Sequence, residues 1–315
     1  MSKPDIDILL ATYNGARFLS LQLDSLLNQT YNQIHIFIRD DGSKDNTLQI
    51  VKSYQHQFPE KITLIEGEIN QNKATGNFSI LMTYSTSDYI LFSDQDDIWE
   101  LDKVEKLYHK ITAVEALNPN MPVYIFSDLK MIDEKGSEIA SSLWEKEGIN
   151  PKNIKLGNLL TQNIANGCAS IINKKLLELG KDIPKGVLMH DHWLIILASA
   201  AGVVDYITDK TINHRIHQSN SSRAESEIKK ERKKSLMSII KGENLDNYYQ
   251  KLKSQAILIK QRLQEKSLLS IEKEKVLNDF IELKNYSFIK RKKVILKNDF
   301  LKNSPAASLN WWLRI

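Results

Sequence analysis

The feature that most constrains this chain is the regular exchange, through its first half, of short apolar runs and amphipathic helical patterns. The runs "DILLAT" (7–12), "IHIFIRD" (34–40), "KITLIE" (61–66), "DYILFSD" (88–94) and "PVYIFSD" (122–128) carry the β-branched and aromatic residues of strands. Between the first four lie helical patterns at 16–28, 44–57 and 74–86, the first with Leu19, Leu23, Leu26 and Leu27 on one face. The runs are almost continuously apolar, as strands are when helices cover both faces of a parallel sheet. The expected fold class is therefore α/β, an open, mostly parallel sheet flanked by helices. Ligands of such sheets lie at the carboxyl ends of the strands. This chain gathers its polar residues there: "TYNG" after the first run, "DDGSKDNT" after the second, "DQDD" after the fourth.

The 315 residues suffice for one large α/β domain or for a domain with an appendage. From 155 to 220 the pattern is mixed, with a helix near 155–163, a strand in "CASIINK", a helix from about 191 and a strand in "VVDYITD". After Ser222 the strand signal stops, and 224–303 read as two or three helices before the closing "LNWWLRI". We expect an α/β domain over 1–220 and a basic helical region over 221–315, docking on a membrane or a partner. The net charge of +4 divides into −7 and +11 across that boundary. Basic surfaces attract nucleic acid or anionic lipid. Residues 221–315 hold Tyr248, Tyr249, Trp311 and Trp312 but no recognised nucleic-acid-binding motif, so nucleic acid is not the expected partner. Peripheral membrane docking through Lys/Arg and "NWWLRI" is the sharper expectation. The single cysteine, Cys168, excludes an internal disulfide. No run approaches the ~18 apolar residues of a membrane span, and the first residues lack the features of a signal peptide. A cytoplasmic protein is expected, peripheral on the inner face of the plasma membrane.

Two acidic turns carry the chemistry. In "RDDGSKDNT" (39–47), Asp41-Gly42 is turn chemistry and Ser43 or Asp45 can cap the next helix. Alternatively, Asp41 accepts hydrogen bonds from a base or ribose, as acids at strand ends do in nucleotide sites. In "SDQDD", Asp94, Asp96 and Asp97 crowd one turn, where capping needs only one carboxylate. Uncompensated, such neighbours raise one another's pKa. A divalent cation turns that repulsion into coordination, and carboxylates suit Mg²⁺ or Mn²⁺.

Taken together, "ATYNGARFLSLQLDSLLNQTY", "IRDDGSKDNT", "GNF" and "LFSDQDDIWELDKVEK" resemble family 2 glycosyltransferases with the GT-A fold. The "DQDDIW" form is similar to bacterial rhamnosyltransferase-like members that assemble cell-wall or capsular polysaccharide. The resemblance spans about 5–220. It implies an inverting transferase that uses a nucleotide-diphosphate sugar, with Mn²⁺ or Mg²⁺, and a lipid-linked or polysaccharide acceptor. It implies a dTDP-linked L-rhamnose donor first and a UDP-hexose second.

The same resemblance distributes the roles. Thr12, Tyr13 and Asn14 lie on the nucleotide-binding edge, and Asp41 sits where the family binds the base. "SDQDD" takes the place of the DXD motif, so Asp94 contacts the donor and Asp96 the metal, while Asp97 assists or caps. Before the third helix, "NQNKATGNF" has Asn72 or Lys73 where the family has Gly, but Asn77 matches a donor contact. In "GVLMHDHWL" the family's acidic pair becomes His190–Asp191, with Asp191 matching the base and His190, His192 and Trp193 beside the acceptor. Without the resemblance, these residues read as a capping Asp between ordinary histidines, since no zinc spacing is present. "NHRIHQSNSS" resembles an Arg-x-His segment, in which His217 ligates the metal or meets the diphosphate and Arg215 pairs with phosphate. Otherwise it is a basic loop closing the domain. "NIANGCAS" matches an acceptor-facing loop, with Asn166 and Gly167 as candidates, although Gly167 also suits a plain turn.

Two competitors fit less well. A sugar nucleotidyltransferase usually opens with a Gly-rich, Arg-containing phosphate loop, and "LLATYNGARFLS" has one glycine. A non-enzymatic nucleic-acid- or membrane-binding protein would leave the acidic turns idle.

Overall fold

The computed structural model describes residues 5–67, 73–217 and 243–315. Strands β1 (Ile6–Thr12), β2 (Ile34–Asp40), β3 (Ile62–Leu64) and β4 (Tyr89–Ser93) form the parallel half of one sheet, in the order β3-β2-β1-β4. The crossovers are helices α1 (Leu19–Leu27), α2 (Thr47–Gln57) and α3 (Lys73–Tyr84). Because β1 lies between β2 and β4, the order reverses at β1 and a crevice opens at the carboxyl ends of β1 and β4. The apolar runs divide by pleat. Ile6, Ile8 and Leu10 of β1 enter one core cluster and Leu9 the other, and Leu91 of β4 opposes Ile90 and Phe92 in the same way.

The second half of the sheet is mixed. β5 (Ile98–Trp99) follows the acidic turn, and α4 (Lys103–Leu117) then leads to β6 (Val123–Ile132), β7 (Glu138–Ala140), α5 (Leu143–Glu147) and α6 (Leu156–Thr161). β8 (Ser170–Asn173) runs antiparallel between β4 and β6, so the chain entering it passes the carboxyl end of β4. α7 (Lys174–Gly180) and α8 (His190–Ala201) precede β9 (Val203–Arg215), which pairs in parallel with β6 and antiparallel with β5. β9 continues to Arg215, well beyond the strand expected in "VVDYITD".

The boundary expected near 220 lies outside the described residues. The C-terminal helices α9 (Glu243–Glu265), α10 (Ile271–Ile281), α11 (Phe288–Lys297) and α12 (Pro305–Arg314) do not form a core of their own. Tyr249, Leu252, Ile259, Phe280 and Trp311 join the cluster that holds Trp193 and Leu194 of α8. Within "NWWLRI" the tryptophans are not the membrane anchor that was expected. Trp311 and Ile315 are fully buried and Trp312 is half-buried, because α12 turns that face inward. Among the described residues no helix is long and apolar enough to cross a membrane.

Candidate active site

The sheet brings three loops to one crevice. After β1, Thr12 Oγ1 donates to Asp40 Oδ1 at 2.9 Å, tying the ends of neighbouring strands. Asn14 takes the left-handed conformation (φ 48°) and its Oδ1 accepts from Lys44 N at 2.8 Å. Tyr13 is 55% exposed, and its backbone is clamped by Gln95, whose side chain accepts from Tyr13 N at 2.8 Å and donates to Tyr13 O at 2.9 Å. The β1 loop and the acidic turn after β4 are therefore one unit.

In the turn after β2 the two acids divide the work. Asp40 accepts from the backbone of Gly42 and Ser43, and Gly42 supplies the positive φ of 84° that the turn requires. Asp41 is left at the crevice, 3.5 Å from Arg39 Nη1. Asn77 does not line the opening. It is 2% exposed and spends its amide on Arg39, accepting from Nη1 at 2.8 Å and donating to the carbonyl at 3.0 Å. Through Arg39 it orients Asp41.

The register of β5 against β9 organises "DQDD". Ile98 pairs with Asn213 and Trp99 with Ile212. Continued one step, the antiparallel register sets Asp97 opposite His214, and another step sets Asp96 opposite Arg215. Asp97 Oδ1 accepts from His214 Nδ1 at 2.8 Å and from Arg215 N at 3.1 Å. Arg215 Nε donates to the Asp96 carbonyl at 3.0 Å, and Nη1 reaches the carbonyls of Asp133 and Glu134. Arg215 therefore fastens the turn from behind, with its guanidinium also 4.6 Å from the centre of the Phe18 ring. Beyond the strand, His217 Nε2 lies 2.7 Å from Asp96 Oδ2. The expected metal pair is brought together.

Charge distinguishes the three carboxylates. Asp94 is half-buried, and burial followed by the charges of Asp97 and Asp96 pushes its carboxyl up to about 7. Burial and then Asp97 also raise Asp96, against the opposing pull of His217. At Asp97 burial would raise the carboxyl, but the charge and hydrogen bond of His214 hold it below the usual range. Burial likewise disfavours the His214 imidazolium, yet Asp97 lifts it to about 9. Cys168 lies with Asp97 and His214 in a group whose ligand atoms fall within 4.8 Å of one another. All three are buried, and burial pushes the thiol far up, so this group closes on itself around an ion pair. Asp96 and His217, beside the crevice, offer the carboxylate oxygen and imidazole nitrogen that fit a divalent cation. Beneath the turn Lys103 is fully buried, donates to the Cys168 carbonyl and stands 3.1 Å from the centre of the Trp99 ring.

The first turn of α8 supplies the remaining acid. Asp191 is 7% exposed; Oδ2 accepts from Gly167 N at 3.0 Å and Oδ1 from His192 N at 2.6 Å. It is close enough to Asp94 for its charge to raise that carboxyl further. Asn166 precedes Gly167 in the same loop and is half-buried. A Cβ on Gly167 would meet His190 Nε2 at 2.7 Å, so glycine lets the loop close on α8. His190 is buried, packs 4.0 Å from Phe78 and 5.1 Å from Phe92 between ring centres, and burial lowers its pKa, favouring the neutral ring. Two expected acceptor residues are placed elsewhere. His192 joins the Leu159 carbonyl at 2.7 Å to Gln255 at 3.1 Å, and Trp193 is wholly buried with its indole N–H on the Gly180 carbonyl. Consecutive helical positions point about 100° apart, so Asp191 can face the crevice while its successors face the core. Reasoning from sequence missed Arg39, Gln95, Lys103 and His214. The only available signal was the i, i+3 spacing of histidines in "HRIH".

A crevice at the order reversal of a curled mixed sheet, floored by an acidic turn and faced by a lone Asp at a helix start, defines the GT-A class of transferases. The Glycosyl transferase family 2 model matches residues 7–180, and the chain belongs to that family; the protein is a glycosyltransferase. It is 30% identical over 224 residues to the dTDP-rhamnosyl transferase RfbG of Shigella flexneri, a match covering 67% of this chain and 72% of that protein. Its fold is similar to that of S. aureus TarS in complex with UDP-GlcNAc, with a TM-score of 0.59 at 15% identity, covering 93% of this chain and 79% of that one. It is also similar to the mannosyltransferase PcManGT from Pyrobaculum calidifontis in complex with GDP-Man and Mn2+. That likeness has a TM-score of 0.53 at 14% identity and covers 99% of this chain and 87% of that one.

Proposed function

We propose that the protein transfers L-rhamnose from dTDP-L-rhamnose, with inversion, to a hydroxyl of a lipid-linked or polysaccharide acceptor in bacterial cell-surface glycan synthesis. The observation that carries this reading is the convergence of Asp94, the Asp96–His217 pair and Asp191 on one crevice. Likeness to a protein named as a dTDP-rhamnosyl transferase favours the rhamnose donor. A UDP-hexose donor is the second reading, favoured by the likeness to TarS in complex with UDP-GlcNAc. A lipid-linked acceptor puts the reaction at the inner face of the plasma membrane, where the protein binds peripherally.

The nucleotide lies along Thr12, Tyr13 and Asn14, with Asp41 held by Arg39 to accept hydrogen bonds from the base. Asp94 contacts the donor sugar. Asp96 and His217 would hold Mn²⁺ or Mg²⁺, which would supply positive charge to the departing diphosphate. Asn166 and Gly167 border the acceptor. Asp191 accepts the proton of the acceptor hydroxyl while that oxygen bonds to the anomeric carbon and the carbon–phosphate oxygen bond breaks on the opposite face. A base so placed contributes about 10²–10⁴-fold. The two N–H donors on Asp191 fix its carboxylate in place for that step.

The test is a panel of nucleotide sugars, scored first by Mn²⁺-dependent thermal stabilisation and then by transfer to extracted lipid-linked acceptors. Stabilisation by dTDP-L-rhamnose above UDP-hexoses is expected. Stabilisation by a UDP-hexose alone would replace the donor, and normal turnover by Asp191→Ala or Asp96→Ala would remove those residues from their roles.

A further inference from the structure

The last two helices carry apolar side chains on the outside. On α11, Ile289, Lys293, Leu296 and Lys297 recur at i, i+4, i+7 and i+8 and are all exposed, while Val294 and Ile295 pack inward. On α12, Pro305, Leu309 and Leu313 form an exposed stripe opposite the buried Trp311 and Ile315. The helices touch each other: Lys292 Nζ donates to the Trp312 carbonyl and Arg291 Nη1 to that of Ile315. Phe288, Ile289, Leu296, Leu309 and Leu313 are each more than half exposed. A core helix would bury such residues. Here each helix already has an apolar face inside the protein, and outside it α11 carries a mixed apolar and basic stripe and α12 an apolar one.

The segment that carries these stripes is mostly of one charge sign. Residues 283–315 hold eight Lys and Arg and a single acid, Asp299, which is paired with Lys155. Lys290, Lys293 and Lys297 stand exposed among Phe288, Ile289 and Leu296. A protein partner matched to this surface would need a dense acidic face with apolar insets. A bilayer containing anionic phospholipid provides negative charge and a hydrocarbon boundary together, and basic amphipathic helices lie in that boundary.

We propose that α11 and α12 are the membrane-docking face of the protein. They lie in the plane of an anionic leaflet, with Phe288, Ile289, Leu296, Leu309 and Leu313 entering the interface and Lys290, Lys293 and Lys297 against the headgroups. This deepens the peripheral binding proposed above and rests on that reading for its biological purpose, but the docking itself needs neither donor nor acceptor. It also relocates the contact from the terminal tryptophans to the opposite side of the same helix.

The experiment is flotation of the full chain with phosphatidylcholine vesicles, with and without phosphatidylglycerol, in the absence of nucleotide sugar. Retention is expected only on the anionic vesicles. Each lysine lost should cost about fivefold in affinity and each reversed to Glu more, so Lys290→Glu/Lys293→Glu/Lys297→Glu should stay in the unbound fraction while melting like wild type. Leu309→Ser/Leu313→Ser should bind more weakly at unchanged charge. The triple-charge variant should keep the Mn²⁺-dependent thermal response to donor, which separates failure of docking from failure of the transferase reading. Wild type that ignores anionic vesicles, or a charge variant that floats as well as wild type, would overturn the proposal. So would a charge variant that changes only the oligomeric state, or loses only nucleic-acid binding.

Discussion

Two Asp–His pairs sit one residue apart on the acidic turn and three apart on the returning chain, and the molecule treats them oppositely. Asp97–His214 lies one step past the last β5–β9 pair, with its carboxylate wholly buried; Asp96–His217 lies farther along, its side chains still mostly buried beside the crevice. The inner pair neutralises itself, with the acid held down and the imidazole held up. The outer pair leaves Asp96 raised, a carboxylate short of positive charge. Mutual compensation makes the first a scaffold, and incomplete compensation suits the second to the proposed cation.

The largest effect that sharpens this contrast lies beside both pairs. Asp191→Asn should lower turnover by about 10²–10⁴-fold with the Mn²⁺-dependent thermal response to nucleotide retained. Asp96→Asn should lose both, and a retained thermal response in Asp96→Asn would break the assignment of the outer pair. Next comes the inner pair. His214→Ala strands a buried carboxylate and should cost about 3–5 kcal/mol in urea unfolding; a cost under ~1 kcal/mol would show that the pair is not scaffold. His217→Ala removes the partner of a carboxylate that burial already pushes toward its neutral form, so it should cost less in urea unfolding than His214→Ala while abolishing the thermal response to Mn²⁺.

The smallest effects are in pH. His214, raised from 6.5 to about 9, stabilises fully below pH 6.5, and its contribution fades as pH rises through about 9. Asp97, lowered from 3.8, contributes above that value and loses its contribution as pH falls through its folded pKa. Asp94 runs the other way. Raised from 3.8 to about 7, it keeps a proton the unfolded chain has lost, so stability declines across that interval as pH rises. Melting curves without metal should show this decline, Asp94→Asn should flatten it, and bound Mn²⁺ should offset it most above pH 7. A decline unchanged in Asp94→Asn would place its origin elsewhere.

The contrast also marks what the sequence could disclose. β1, β2 and β4 were legible because a strand buried on both faces has almost no polar residue, and their polar ends followed directly. β5 was not legible, since two residues, Ile98 and Trp99, carry no periodicity. With β5 unseen, β9 seemed to stop early and 213–222 looked like a loop. His214 therefore had no visible partner, although Asp97 lies 2.8 Å from it. Asp94, Asp96 and Asp97 stood out because charge crowded in a strand-end turn is costly, whereas Asp191 and His217 were named through the family resemblance. Asn77 was carried to the crevice by the family resemblance, and His192 and Trp193 by their nearness to Asp191, whereas the helical turn directs them into the protein. Trp311 misled for a related reason: a terminal Trp beside Arg suits an interface or a core equally until its helix is oriented.

The hydrogen bond from Gln255 to His192, one residue after Asp191, has a practical consequence. The C-terminal helices are built into the back of the helix that carries the proposed base, so acceptor preference cannot be traded between relatives by exchanging the last hundred or so residues. A chimera joined after the sheet would inherit mismatched partners for His192 and for the core around Trp193, and would report broken packing rather than altered taste. Redesign of what this enzyme glycosylates therefore has to keep the C-terminal helices matched to α8.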